Sequence, residues 1–273
     1  MLVAAALVPD TALLVPGVSG RQDAAGGLRE AATSAVRRAV AGAERVVVVA
    51  PGRPARSPSR SRADVLTDGE TGQSTAVHVV AVVGLVRATL AAAGVPDTLL
   101  APVPPVALAP PPLDTGTAIM TPAAGVSTAV ALRLLAAAGG AATHAVETTG
   151  TDGTALRALG ARLVAGTGRD ALVVVGSASG RHGPDAPLAD DPDALAYDDA
   201  LVADLRTADP AARERLAALD PHRAAGLAVT GWGPWQVLVG AAGPRTVVRA
   251  DVAGDVLLGA QHVVGTWHVE APA

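Results

Sequence analysis

Leu2–Val8 is an unbroken run of apolar residues, and Pro9-Asp10-Thr11-Ala12 closes it. A short apolar run ended by a turn signal reads as a buried strand that delivers a polar residue to a loop. The same signature returns at residues 45–50, around Val46-Val47-Val48-Val49, and at residues 171–175. Between the first two runs, residues 24–42 place Leu28, Ala31, Ala32, Ala35, Val36, Ala39 and Val40 at helical spacing, with Arg29, Arg37 and Arg38 opposite. That pattern predicts an amphipathic helix. Strand, helix and strand with short links predict a parallel βαβ unit. Ligands of open α/β sheets sit just beyond the carboxyl ends of the strands. Asp10 therefore stands where such folds keep their chemistry.

The remaining segments extend this reading to one α/β domain over residues 1–273, with a largely parallel sheet flanked by helices. Residues 52–74 read as a long mobile loop. Prolines, serines and Arg53, Arg56, Arg60 and Arg62 precede Asp64, Asp68 and Glu70 there. A solvated insertion is the simpler interpretation, and an arginine site for an anionic ligand the sharper one. Residues 77–93 predict a helix ending at Gly94, and residues 97–101 a short strand. The six prolines of residues 102–112 exclude a helix or a central strand. Residues 121–138 predict a helix with Pro122 in its first turn. A strand is expected at 144–149, a helix at 153–165, a loop at 176–192 and a helix at 193–206. Asp209-Pro210 marks a further helix start, and residues 245–268 predict two closing strands.

Composition excludes several functions. Cysteine is absent, which removes disulfides, thiolate metal sites and cysteine nucleophiles and fits a cytoplasmic protein. The net charge is −4, with one tyrosine and three tryptophans, so nothing points to nucleic acid. No stretch has the ~18 uncharged apolar residues of a membrane span, and the best, residues 75–86, is cut by Arg87. The N-terminus lacks the basic residues and long apolar core of a signal peptide. Lysine, asparagine and phenylalanine are missing. All three have AT-rich codons, so their absence reflects a GC-rich genome. The core must be filled by leucine, valine and alanine.

The six histidines, His78, His144, His182, His222, His262 and His268, form no HxH, HxxxH or HExxH pattern. Only His182 follows a strong strand into a loop. His262 and His268 lie at even spacing on the closing strands. Each by itself reads more readily as a surface or packing histidine. The segment Gly176-Ser177-Ala178-Ser179-Gly180-Arg181-His182-Gly183 has no P-loop lysine and opens no helix. Ser177 and Ser179 lack the G-x-S-x-G context of a nucleophile elbow.

Several separated pieces, taken together, resemble one family. They are Val8-Pro9-Asp10-Thr11-Ala12-Leu13-Leu14-Val15-Pro16, Val46-Val47-Val48-Val49-Ala50-Pro51-Gly52, Val173-Val174-Val175-Gly176-Ser177-Ala178-Ser179, Gly233-Pro234-Trp235-Gln236-Val237-Leu238-Val239-Gly240-Ala241 and a tail ending at Trp267. The whole is similar to the class III extradiol ring-cleaving dioxygenases, subunit-B type (the protocatechuate 4,5-dioxygenase beta-chain-like group), in a branch common in high-GC bacteria. The resemblance implies an α/β fold with a central mixed sheet. It also implies a ferrous ion held by two histidines and a carboxylate, with a further histidine as acid/base.

Residue by residue, the chain departs from that pattern. The first iron histidine falls on Asp10, and the second falls near Pro51, Gly52 and Arg53. The acid/base histidine slot is Gly180, with His182 displaced by two. The carboxylate ligand corresponds loosely to Asp255. Three expectations follow. The first is a dioxygenase-like scaffold with a degenerate non-haem iron site, no resident cofactor, and a cleft that keeps a small-molecule or partner ligand. The second is an active, divergent metal-dependent oxygenase or hydrolase, with ferrous iron or another divalent metal on Asp10 and Asp255 and with His182 as the catalytic base. The third is a non-catalytic partner of another chain, in a homo- or hetero-oligomer.

Overall fold

The structure is a computed structural model that describes residues 1–19, 23–52, 76–114 and 118–270. The loop expected at 52–74 lies outside the described residues from residue 53 onward. The strands are β1 (Leu2–Val8), β2 (Arg45–Pro51), β3 (His78–Val82), β4 (Gly84–Val86), β5 (Val106–Leu108), β6 (Ala118–Thr121), β7 (His144–Thr149), β8 (Asp170–Val175), β9 (Val247–Leu257) and β10 (Ala260–Val269). The helices are α1 (Gly26–Val40), α2 (Val126–Ala137), α3 (Gly153–Leu163), α4 (Ala194–Thr207), α5 (Pro210–Ala217), α6 (Pro221–Gly226) and α7 (Trp232–Ala242).

Eight strands form one mixed sheet in the order β6-β3-β7-β2-β8-β1-β10-β9. Its centre, β7-β2-β8-β1, is parallel, and antiparallel pairings join β3, β10 and β9 to it. The α/β class and the flanking helices agree with the sequence. The βαβ expectation needs one refinement. β1 and β2 run parallel, but β8 is inserted between them and pairs with both.

Alternate residues of each central strand serve two separate cores, as a period of two requires. Leu7, Val49 and Val174 face the side covered by α3, α4, α5 and α7. Val8, Val48, Val175 and Val264 face the side covered by α1 and α2. Both faces are covered, so the central strands read as continuous apolar runs.

The helix expected over 77–93 is corrected. That stretch forms β3, β4 and a single 3₁₀ turn at Ala91–Ala93. Its valines are β-branched and favour strand packing, and Gly84, the first residue of β4, turns the chain at φ +85° just after β3. The strand expected at 97–101 is instead a 3₁₀ turn at Asp97–Leu99. The helix expected from 121 begins at Val126, because β6 occupies Ala118–Thr121. Pro122 therefore precedes α2 instead of lying in its first turn. The start of α2 is fixed by the buried Glu147, whose Oε1 accepts from Gly125 N and Thr128 Oγ1, both at 2.6 Å. A carboxylate there also complements the helix dipole. The Asp209 start is observed as expected, its side chain accepting from Ala212 N at 2.7 Å. Among the described residues, no helix is long and apolar enough to cross a membrane.

Candidate functional site

The carboxyl ends of β8 and β1 and the adjoining start of β10 bring three polar residues into one row. β1 pairs with β8 up to Val8↔Val175 and with β10 up to Leu7↔Gly265. Both registers, continued past the end of β1, meet at Asp10, with Ser177 on one side and His262 on the other. On β9, Asp255 is the register partner of His262. All four positions carry the parity of the α1/α2 face.

The contacts place Ser177, and not Asp10, in the middle. Ser177 Oγ donates to Asp10 Oδ1 at 2.7 Å, and His262 Nδ1 lies 3.3 Å from the same Oγ. With the Ser177 proton directed to Asp10, the His262 contact is satisfied when Nδ1–H donates to Oγ. That assignment rests on the hydrogen-bond network, since the tautomer follows from the partners. Ser177 and His262 are buried, at 7% and 4% exposure, while Asp10 is half-buried and Asp255 exposed. The serine sits between the acid and the imidazole. A Ser-His-Asp triad needs the imidazole in the middle, so this row is not one.

His182 is elsewhere. The segment that follows β8 takes the place of β1 beside the start of β10, through Gln261 N to Ser179 O at 2.8 Å and His182 N to Gly259 O at 3.0 Å. There His182 Nε2 meets Asp198 Oδ2 of α4 at 2.6 Å. Asp198 is 1% exposed and also accepts from Ser179 N at 3.1 Å. Burial pushes its carboxyl above the usual carboxylate range, against the opposing pull of His182 and the Ser179 amide. Asp198 thus orients the His182 ring, as the carboxylate partner of a general-base histidine does.

Of the sequence-predicted residues, Asp10 and Asp255 share one row, bridged by His262, while His182 pairs with Asp198. The three do not meet. Among the described residues, no group of three or more His, Asp or Glu side chains is placed to hold a metal ion. The donor set does not fit the ferrous centre that the resemblance implies. Asp10 is engaged by a hydroxyl, His262 Nδ1 by the same hydroxyl, and His182 Nε2 by a carboxylate. Ser177, His262 and Asp198 are the residues that sequence reasoning left out of the site.

Burial pushes the His262 imidazole below its ordinary value, against the upward pull of Asp10 and Asp255. The native protein then binds this proton less readily than the unfolded chain. Its contribution to stability is present above the ordinary histidine value of about 6.5 and is lost as pH falls below that. His262→Gln is expected to flatten the decline of unfolding free energy just below pH ~6.5, measured by urea denaturation at several pH values. A residual slope remains, because burial also lowers His144 and His268.

A cleft of about 160 Å³ opens at the same edge of the sheet. Thr148, Gly150 and Thr151 at the end of β7 form one wall, and Thr230, Trp232 and Gly233 at the start of α7 form another. Thr230 joins the cleft to the polar row, because its Oγ1 accepts from Ser177 N at 2.8 Å. No protein-family model matches the chain, and no curated protein matches it.

Proposed function

We propose that this protein binds a small molecule on an extradiol-dioxygenase-like scaffold whose iron site has been replaced by a hydrogen-bonded polar row. The observation that carries the reading is the 2.7 Å bond from Ser177 to Asp10 at the carboxyl edge, joined through Thr230 to the cleft on the α7 face of the sheet. In the resembling family, the position of Asp10 is an iron ligand. Here its carboxylate is turned to a serine, and the second iron position falls on Pro51 and Gly52. Loss of imidazole ligands weakens a facial-triad site severely. Anaerobic titration with ferrous iron and catechol, followed by admission of dioxygen, is expected to give no stoichiometric metal binding and no ring-opened product. One iron per chain together with a ring-opened product would overturn the proposal.

The second reading, an active metal-dependent oxygenase or hydrolase, draws support from the His182–Asp198 pair at 2.6 Å, since a buried carboxylate that orients an imidazole suits proton transfer. It requires His182→Ala to abolish a turnover that depends on added divalent metal.

A further inference from the structure

We infer that the cleft between β7 and α7 is an oxyanion subsite, built for the phosphate or carboxylate end of a small molecule. This rests on the small-molecule reading of the same edge and specifies the ligand's chemistry.

Two independent observations converge on it. The first is the start of α7. The helix begins after Gly231 with no side-chain cap. The amides of Trp232 and Gly233 have no intrahelical acceptor, and Pro234 has no N–H. Neighbouring α3 and α6 are different, because Asp152 accepts from Ala155 N and Asp220 from His222 N. The second observation is Thr148. It is 4% exposed, it lines the cleft, and its Oγ1 has no hydrogen-bond partner. That hydroxyl faces the first turn of α7, 3.6 Å from where a Cβ on Gly233 would stand. A buried hydroxyl without a partner is costly. An acceptor oxygen between Thr148 and the α7 amides would satisfy all of them.

Charge and size agree. Every residue lining the cleft is uncharged, and the carboxylates next in the chain, Asp152 and Asp220, are turned to the amides of α3 and α6, which leaves the positive end of the α7 dipole to an anion. The volume of about 160 Å³ is below the roughly 300–1,000 Å³ of sites for drug-sized ligands. It suits a head group more than a whole cofactor.

The test is a titration of the ¹⁵N-labelled full chain with inorganic phosphate in metal-free buffer, followed by amide shifts. Phosphate is expected to move the amides of Thr151, Trp232 and Gly233. Thr148→Val and Gly233→Ala should each weaken that binding at least fivefold while leaving the thermal midpoint unchanged or raised. Thr148→Val removes only an unsatisfied hydroxyl. The new methyl of Gly233→Ala makes ordinary contacts at 3.6 and 3.8 Å and covers the hydroxyl. Phosphate shifts that ignore both variants, or that fall elsewhere, would overturn the inference. Catechol serves as the neutral probe. If catechol moves these amides and phosphate does not, the oxyanion assignment fails and the small-molecule reading stands. If neither moves them, both fail.

Discussion

Gly160→Val is expected to remove at least about 3 kcal/mol of stability, at the upper end of the cost of overpacking. Gly160 lies on the buried face of α3, where a Cβ would stand 1.9 Å from Val237 O and 2.8 Å from Ala241 N of α7. Gly240 makes the reciprocal approach, since its Cβ would come within 2.0 Å of Arg157 O. The atoms in the way are backbone, so no side chain can swing aside. The added methyls can be accommodated only by moving α3 and α7 apart. That separation opens the packing around Leu156, Leu159, Trp235 and Val237 and pulls apart the helix starts that flank the cleft. Against a typical total of about 5–15 kcal/mol, the variant is left marginal or unfolded. Urea denaturation measures it, and a change below ~1 kcal/mol would show that the helices slide freely.

Trp267→Ala is expected to cost about 4 kcal/mol, within the range for deleting a buried aromatic side chain. Trp267 is fully buried on β10, in the core beneath α3, α4, α5 and α7. Its Nε1 donates to Leu205 O near the end of α4 at 2.8 Å, a carbonyl in the last turn that has no intrahelical donor. The substitution therefore creates a cavity and strands a buried acceptor. Trp267→Phe should recover most of the packing but not the hydrogen bond. Thermal and urea unfolding of the two variants separate the two contributions.

The parts of the fold visible in the sequence are those fixed locally. β1, β2 and β8 are buried on both faces, so their apolar runs are continuous and short, and the Asp209 cap declares itself by residue type. Residues 77–86 misled because valines spaced along a polar-poor segment fit a helix or a strand, and partners distant in the chain decided between them. β3 takes its place beside β7 and β6, neither of which adjoins it in sequence.

The site follows the same logic. Asp10 was legible because it ends a strand. Ser177 and His262 were not, because what unites them with Asp10 is register across β8, β1 and β10, and no short-range spacing encodes that. Asp198 was hidden for a similar reason: it is an ordinary helix residue until the loop after β8 brings His182 onto it. Asp10 and Asp255, the two residues that the resemblance singled out as metal ligands, occupy one row at this edge of the sheet. The hydroxyl between Asp10 and His262 makes that row a hydrogen-bonded chain.

The most direct measurement is a protein-observed NMR screen of small molecules in metal-free buffer containing a chelator. Compounds should bind without metal and move the amides of Gly150, Thr151, Thr230 and Gly233 together with those of Asp10 and Ser177. If binding at these residues appears only after ferrous iron is supplied, Asp10 holds a metal, and the reading of this edge as a metal-free ligand site is wrong.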